Sequence, residues 1–323
     1  MTTPPQADAG PGEEQFVHPG PPAAEVPLSR ALVRRLLAAQ HPDLAGREVF
    51  DPIEGFDMAV FRLGEDLAVR LPRHRGAVGS LAAEIRWVGS LGSAWTFPAQ
   101  QVVRVGAPGA EFPWCWVVTS WLPGALAADR PLDPSAAPAL GRALAEVHQP
   151  APTGAPFNSE QSIRLIERTP VLRRFLPRLP AIGAARGLTL DLAAAEGLWR
   201  AALAVPDDAP RVWLHADLHP FNVISRDGQF AGIIDWSDIC GGDPAVDLGF
   251  LQLLLPAAAL PAAYHSYGGV DEATAARARG IALVKAAGLA TVDKPAVAAI
   301  GWRALVELGV AHPHPTRSGH LTG

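Results

Sequence analysis

The densest run of chemically capable side chains is Leu214-His215-Ala216-Asp217-Leu218-His219-Pro220-Phe221-Asn222-Val223-Ile224, followed by Gly232-Ile233-Ile234-Asp235-Trp236. It sets a carboxylate, Asp217, and a carboxamide, Asn222, in a polar loop between apolar segments. A second carboxylate, Asp235, ends the next apolar segment. These oxygen-bearing side chains can converge at one end of a sheet. Hard oxygen ligands suit Mg²⁺, and a separate carboxylate can orient an attacking hydroxyl, which is the equipment of phosphoryl transfer. Any one of the residues could instead form an Asx turn. The joint spacing favours the chemistry, because catalytic loops of the protein-kinase type use the same order.

The segment resembles the aminoglycoside phosphotransferase family of kinase-fold antibiotic and small-molecule kinases, which includes macrolide phosphotransferases. The family's HGDLHPGN-type loop is matched by His215 to Asn222, and its I-D-W segment by Ile234-Asp235-Trp236. The resemblance implies that Asp217 is the catalytic carboxylate, that His215 supports the catalytic loop, and that Asn222 and Asp235 are ligands of Mg²⁺. Ala216 and Phe221 stand where small glycines are usual, so Phe221 brings an aromatic ring close to the expected site. Asp243-Pro244-Ala245-Val246-Asp247-Leu248-Gly249 is similar to the family's D-P-x-x-D segment. In chemical terms Asp243 before Pro244 reads as a helix start, and Asp247 as a hydrogen-bonding brace for the loop. The likeness is dense over Leu214 to Gly249 and rests on pattern elsewhere.

A nucleotide clamp must then come from the N-terminal half. Gly55-Phe56-Asp57-Met58-Ala59-Val60-Phe61-Arg62 is similar to the family's nucleotide-covering hairpin loop, which makes Gly55 a candidate contact. In a kinase-like fold the third strand presents a cation to the α- and β-phosphates, and a helix carboxylate holds that cation. Lysine occurs only at Lys285 and Lys294, so the strand residue is Arg70, and the helix carboxylate in register is Glu84. Arginine stays charged and can fork onto a carboxylate and a phosphate together, which makes the exchange chemically workable. Val117 to Gly124 fits the hinge between lobes, with backbone groups of Ser120, Trp121 and Leu122 hydrogen-bonding the purine of ATP or GTP.

The elements that must hold these residues follow from periodicity. Ser29 to Gln40 has helical spacing, Phe56 to Leu63 and Asp66 to Leu71 read as a hairpin, Ser80 to Leu91 as a helix, and Val102 to Val105 and Trp114 to Trp121 as strands. Helices are expected at about Pro134 to His148, Glu160 to Phe175 and Leu190 to Leu203. Short strands return at Val212 to Leu214, Val223 to Ser225 and Phe230 to Ile234, the last two joined by an Asp-Gly turn. From Ala245 to about Val310 the chain reads as helical. The implied fold is α+β, a bilobal protein-kinase-like architecture with a small antiparallel-sheet N-lobe and a larger helical C-lobe. The expected divisions are residues 1–27 as a disordered lead-in, 28–122 as the nucleotide-binding lobe, 123–311 as the catalytic and acceptor-binding lobe, and 312–323 as a tail.

Composition narrows the function. The 323 residues are 49% hydrophobic with a formal net charge of −5, and no basic stripe suggests a nucleic-acid partner. Cys115 and Cys240, without CxxC or Cys/His spacing, suggest neither a disulfide framework nor a zinc site and fit a reducing cytoplasm. The apolar stretch Leu248 to Leu260 is broken by Pro256 and too short to span a membrane. His312, His314 and His320 read as tail rather than metal site. The expected reaction is ATP- or GTP-dependent phosphorylation of a hydroxyl on a small acceptor, with an aminoglycoside or macrolide antibiotic leading. Homoserine, choline-like or sugar acceptors, or a nucleotide-binding regulator without turnover, are the alternatives. Helices after Leu248 hold few acids, Asp271, Glu272, Asp293 and Glu307, against Arg277, Arg279, Lys285, Lys294 and Arg303, and they offer Phe250, Tyr264, Tyr267 and Trp302. That balance favours a bulky, partly apolar acceptor over a polycation.

Overall fold

Ser29 caps the first helix by accepting the Leu32 N–H at 3.2 Å on its Oγ, which starts α1 (Arg30–Gln40) with Leu32, Val33, Leu36 and Leu37 on one buried face. The computed structural model describes residues 22–314. Residues just before α1 dock on the molecule: Glu25 N–H bonds Arg73 O, and Val26 and Leu28 pack on the sheet's core. The rest of the expected lead-in, and the tail from residue 315 with His320, lie outside the described residues.

Helix α1 packs on a five-stranded antiparallel sheet of order β1-β2-β3-β5-β4. Its strands are β1 (Val49–Glu54), β2 (Met58–Leu63), β3 (Leu67–Pro72), β4 (Val102–Gly106) and β5 (Trp116–Ser120), and α2 (Val78–Leu91) lies between β3 and β4 in sequence. The sequence reading missed β1, because Asp51, Pro52 and Glu54 interrupt its alternation. As an edge strand with a register shift between Val49 and Pro52, it tolerates a proline that cannot donate to a ladder. Strand β3 is buried along its whole length, so Arg70 within it needs polar partners from elsewhere.

After Ser120 the chain becomes mainly helical. It runs through β6 (Ala125–Leu126), α3 (Ala137–Val147), α4 (Thr169–Phe175), α5 (Leu179–Ala184), β7 (Leu188–Leu190) and α6 (Leu192–Ala204). The expected helix from Glu160 starts only at Leu165, because the Asn158 side chain accepts the Glu160 and Gln161 N–H groups and holds a turn. The strands that carry the site follow: β8 (Val212–Leu214), β9 (Val223–Arg226), β10 (Gln229–Ile233) and β11 (Cys240–Gly242), paired as β10-β9-β6 and β11-β8. Four helices complete the core, α7 (Ala245–Leu254), α8 (Leu260–Tyr267), α9 (Glu272–Ala290) and α10 (Pro295–Glu307), before β12 (Ala311–Pro313) pairs with β7. His312, read as tail, thus belongs to a strand.

Helix α7 is buried on every side, which is why its sequence lacks an amphipathic period. It packs against α9, as do α10, α6 and α4. No helix among the described residues is long and apolar enough to cross a membrane.

Candidate active site

The loop from β8 to β9 is held from beneath by α7. Asp247, fully buried, accepts the His215 N–H at 2.7 Å and the Ala216 N–H at 2.8 Å on its two oxygens. His148 Nε2 lies 3.2 Å from the same carboxylate, and its Nδ1 is 2.9 Å from the Tyr267 hydroxyl. The clamp accompanies a left-handed backbone at Ala216, with φ of 71°. A residue with a Cβ pays roughly 1–2 kcal/mol for that conformation, which is why glycine is the usual occupant. His215 is buried and fully engaged: Nε2 donates to Ile234 O at 3.0 Å, Nδ1 accepts the Asp217 N–H at 3.2 Å, and the ring meets Trp236 edge-on. It supports the loop and does not face the space a substrate would occupy.

Asp217, Asn222 and Asp235 come together beyond this support. The Asn222 amide donates to Asp217 O at 2.9 Å and to the Asp217 carboxylate at 3.2 Å, leaving the amide oxygen available to a cation. Asp235 also adopts a left-handed conformation, φ 58°, and its N–H is fixed by Gln100 Oε1 at 3.1 Å while Ser237 donates to Oδ1 at 2.8 Å. Strain at the residues flanking or forming a site is a common mark of function. His219 Nε2 lies 3.2 Å from the Asp217 carboxylate. Burial works against ionisation of Asp217, but the charges of His219, Lys285 and His215 outweigh it and hold its carboxyl at about 2. Asp238, bonded by Asn158 at 2.7 Å, behaves oppositely: burial, together with the charges of Asp217 and Asp235, pushes it up to about 7.

Among the described residues no group of three or more His, Cys, Asp or Glu is arranged to hold a metal by itself. Asn222 and Asp235 offer two hard oxygen donors, which suits Mg²⁺, an ion usually bound by one or two protein ligands with phosphate and water completing its shell.

Arg70, the cation expected from the sequence, lies between Glu84 and Asp235. Arg70 is 2% exposed and reaches Glu84 Oε1 at 2.5 Å with one nitrogen and Asp235 Oδ1 at 2.7 Å with another. Burial disfavours its charge, but the two carboxylates outweigh that and keep it protonated. The second Glu84 oxygen is buried without a partner among the described residues. Arg70 thus ties β3, α2 and the end of β10 together. Gly55 forms the exposed turn between β1 and β2, where a Cβ would stand 2.9 Å from Met58 O. The same turn brings Asp57 near enough for its charge to act on Asp238. In the expected hinge, the Ser120 and Trp121 N–H groups bond Gln101 O and Asp66 O, so recognition there would fall to the Leu122 N–H and the carbonyls.

Other readings are relocated. Phe250 and Trp302 are buried in the core and Tyr267 bonds His148, so they do not form an open acceptor wall. Phe221 is half-buried against the helical core with its ring edge-on to His219. Cys240 is buried, its thiol pushed up to about 12 by desolvation, as suits a structural residue. Asp243 caps α7 through the Ala245 N–H and pairs with Arg277 at 2.6 Å. The sequence reading missed Gln100 and Asp238 as neighbours of the site, and neither belongs to a motif.

The sequence model of a family described as the phosphotransferase enzyme family matches residues 50–281, from β1 into α9. Among solved structures, the GDP complex of an aminoglycoside 2'-phosphotransferase-IIIa superposes with a TM-score of 0.63 at 16% identity, covering 87% of this chain and 99% of that one. The apoenzyme of macrolide 2'-phosphotransferase MphH from Brachybacterium faecium gives a TM-score of 0.53 at 22% identity, covering 84% and 97%. A streptomycin-ATP ternary complex of APH(2")-IIa gives 0.53 at 16% identity, covering 88% and 96%. No curated protein matches the sequence. At these identities the structural likenesses establish the fold, the α+β kinase-like architecture of a sheet-rich part and a helical part.

Proposed function

Because this chain belongs to the phosphotransferase enzyme family, we propose that it transfers the γ-phosphoryl group of ATP or GTP to a hydroxyl of a small molecule. The observation that carries this is the convergence of Asp217, Asn222 and Asp235, linked by the Asn222 amide on one side and by Arg70 on the other. Asn222 and Asp235 would hold Mg²⁺, which when bound offsets the charge of the phosphates.

Asp217 orients the accepting hydroxyl along the line of attack. With its carboxyl held at about 2 it is ionised at neutral pH and a weak base. Its contribution is alignment first, with the proton taken late, as a loose transition state allows. The hydroxyl oxygen bonds to the γ-phosphorus as the bond to the β-phosphate's bridging oxygen breaks, and the nucleoside diphosphate leaves. Arg70, fixed by Glu84, would turn its fork toward the phosphates, with the Gly55 turn above them and Leu122 against the purine.

We assign the acceptor to a hydroxylated antibiotic, an aminoglycoside or a macrolide, with resistance as the cellular consequence and the cytoplasm as the place of action. The test is acceptor-dependent release of nucleoside diphosphate over hydroxylated antibiotics and metabolites, with the product's mass increased by one phosphoryl group. A metabolite as the only acceptor would move the assignment to a metabolite kinase. A second reading, a nucleotide-binding regulator, draws on the bond that Arg70 already makes to Asp235, which a metal would have to share. Nucleotide binding without turnover on any acceptor would favour it.

A further inference from the structure

Three residues beyond Arg70 in the chain, Arg73 is only 7% exposed and reaches the turn between β1 and β2. One terminal nitrogen, Nη1, donates to Gly55 O at 2.7 Å and lies 3.5 Å from the Glu54 carboxylate. The other, Nη2, donates to Pro22 O at 3.3 Å. The backbone of the same residue adds two bonds: its N–H donates to Asp57 O at 2.8 Å, and its carbonyl accepts the Glu25 N–H at 2.8 Å. Beside it, His74 Nε2 lies 2.9 Å from the Asp57 carboxylate. The Glu25 carboxylate in turn accepts the Arg75 N–H at 3.2 Å.

These contacts grip the turn at its base and leave its tip in solvent, where Phe56 is 54% exposed. An exposed turn at the edge of a sheet has little packing of its own to hold it in one conformation. The planar fork of Arg73 supplies that hold and ties the turn to the end of β3, the strand that presents Arg70. The segment from Pro22 to Leu28 backs it, because it engages both Nη2 and the Arg73 carbonyl. A turn already fixed in place loses less conformational freedom when a ligand docks beneath it, and the difference appears in affinity, not in the chemical step.

We propose that Arg73 is a positioning residue for the nucleotide: through Gly55 O it holds the β1–β2 turn in the conformation that covers the phosphates, with the segment before α1 as the backing of that hold. This rests on the reading of the Gly55 turn as the nucleotide cover. Arg73 acts through the turn and not on the phosphates, because both of its terminal nitrogens are engaged by protein carbonyls.

The experiment is a calorimetric titration of the β,γ-imido analogues of ATP and GTP, with Mg²⁺, into the full chain as wild type, Arg73→Met, Arg73→Lys and Gly141→Ala. Hydrogen exchange is followed beside it at the Gly55 amide, which bonds Met58 O at 2.9 Å. Arg73→Met keeps an unbranched stem and removes both donors. It should bind the preferred analogue roughly tenfold more weakly than wild type, the scale of ordering one further backbone residue on binding. Exchange at Gly55 should be faster in it before any nucleotide is added. Arg73→Lys keeps one donor for Gly55 O and should fall between the two. Gly141→Ala, which disturbs the contact between α3 and α8, should lower the melting temperature without loss of affinity, and so separates positioning from stability. Wild-type affinity in a folded Arg73→Met overturns the proposal, as does a loss of affinity without faster exchange at Gly55. If Arg73→Met does not fold, Arg73→Lys decides in its place by the same two readouts. A wild type that binds neither analogue removes the phosphotransferase reading and this proposal together, whereas wild-type binding with unchanged Arg73→Met removes the proposal alone.

Discussion

Asp217 and Arg70 are the residues whose surroundings most constrain their chemistry. Asp217→Asn keeps the shape and the contact with Asn222 but removes the charge that aligns the hydroxyl. Turnover should fall by roughly 10² to 10⁴, the usual scale for a positioned general base, with little change in nucleotide affinity. Steady-state phosphorylation beside a nucleotide titration decides the matter, and a parallel loss of affinity would make Asp217 a metal ligand or a brace. Arg70 differs because it is buried against two carboxylates from different elements. Arg70→Ala strands both, so it should weaken nucleotide use strongly and lower stability by about 3–5 kcal/mol. Arg70→Lys keeps the charge, but a point charge cannot fork onto Glu84 and Asp235 together, so recovery should be partial. Unchanged kinetics in Arg70→Ala would remove it from the site.

At the scale of elements, the catalytic loop depends on α7. The Asp247 carboxylate serves two buried N–H groups of the loop and is itself met by His148 from the end of α3. Asp247→Ala leaves both N–H groups without partners in the interior, at about 1–3 kcal/mol each. The loss should appear as a lower urea midpoint, and the loop's left-handed turn at Ala216 should relax with it, taking turnover down further than stability alone accounts for. A variant as stable and active as wild type would show that the loop holds itself. Helix contacts elsewhere are equally tight: a Cβ at Gly141 of α3 would stand 2.1 Å from Ala263 O of α8. Gly141→Ala should therefore cost about 1–3 kcal/mol in thermal or urea unfolding, with no effect on nucleotide affinity in the fraction that stays folded.

For the whole molecule, the two perturbed carboxyls act on stability in adjoining pH windows and with opposite slopes. Asp217, held at about 2, contributes stability that is present above the ordinary carboxylate range near pH 4 and lost as pH falls through about 2. Asp238, raised to about 7, is protonated in the folded chain where the unfolded chain is already ionised, so it removes stability as pH rises from about 4 to about 7. Asp238→Asn abolishes that second slope. Relative to wild type it should gain on the order of 1–2 kcal/mol between pH 4 and pH 8, a figure reduced for partial exposure. Denaturation curves at the two pH values test this, and a constant difference would place the Asp238 carboxyl in its ordinary range.

The residues from Leu214 to Gly249 were legible because they are contiguous: the order Asp217, Asn222, Asp235, Asp247 fixes which side chains a single loop, hairpin and helix start can present, and local physics is enough to read that. The β2–β3 hairpin and the helix bearing Glu84 followed from period in the same way, whereas the pairing of Arg70 with Glu84 came from the resemblance to a kinase-like fold. Strand β1 did not, since most of its side chains after Val49 face solvent and its existence depends on the β2 ladder beside it. Nor did the bond from Arg70 to Asp235 or the fixing of Asp235 by Gln100, each joining residues far apart in the chain. Such contacts have no signature in local periodicity; they arise only when packing of the helices and the sheet brings the groups together, and burial then sets the charge each one carries.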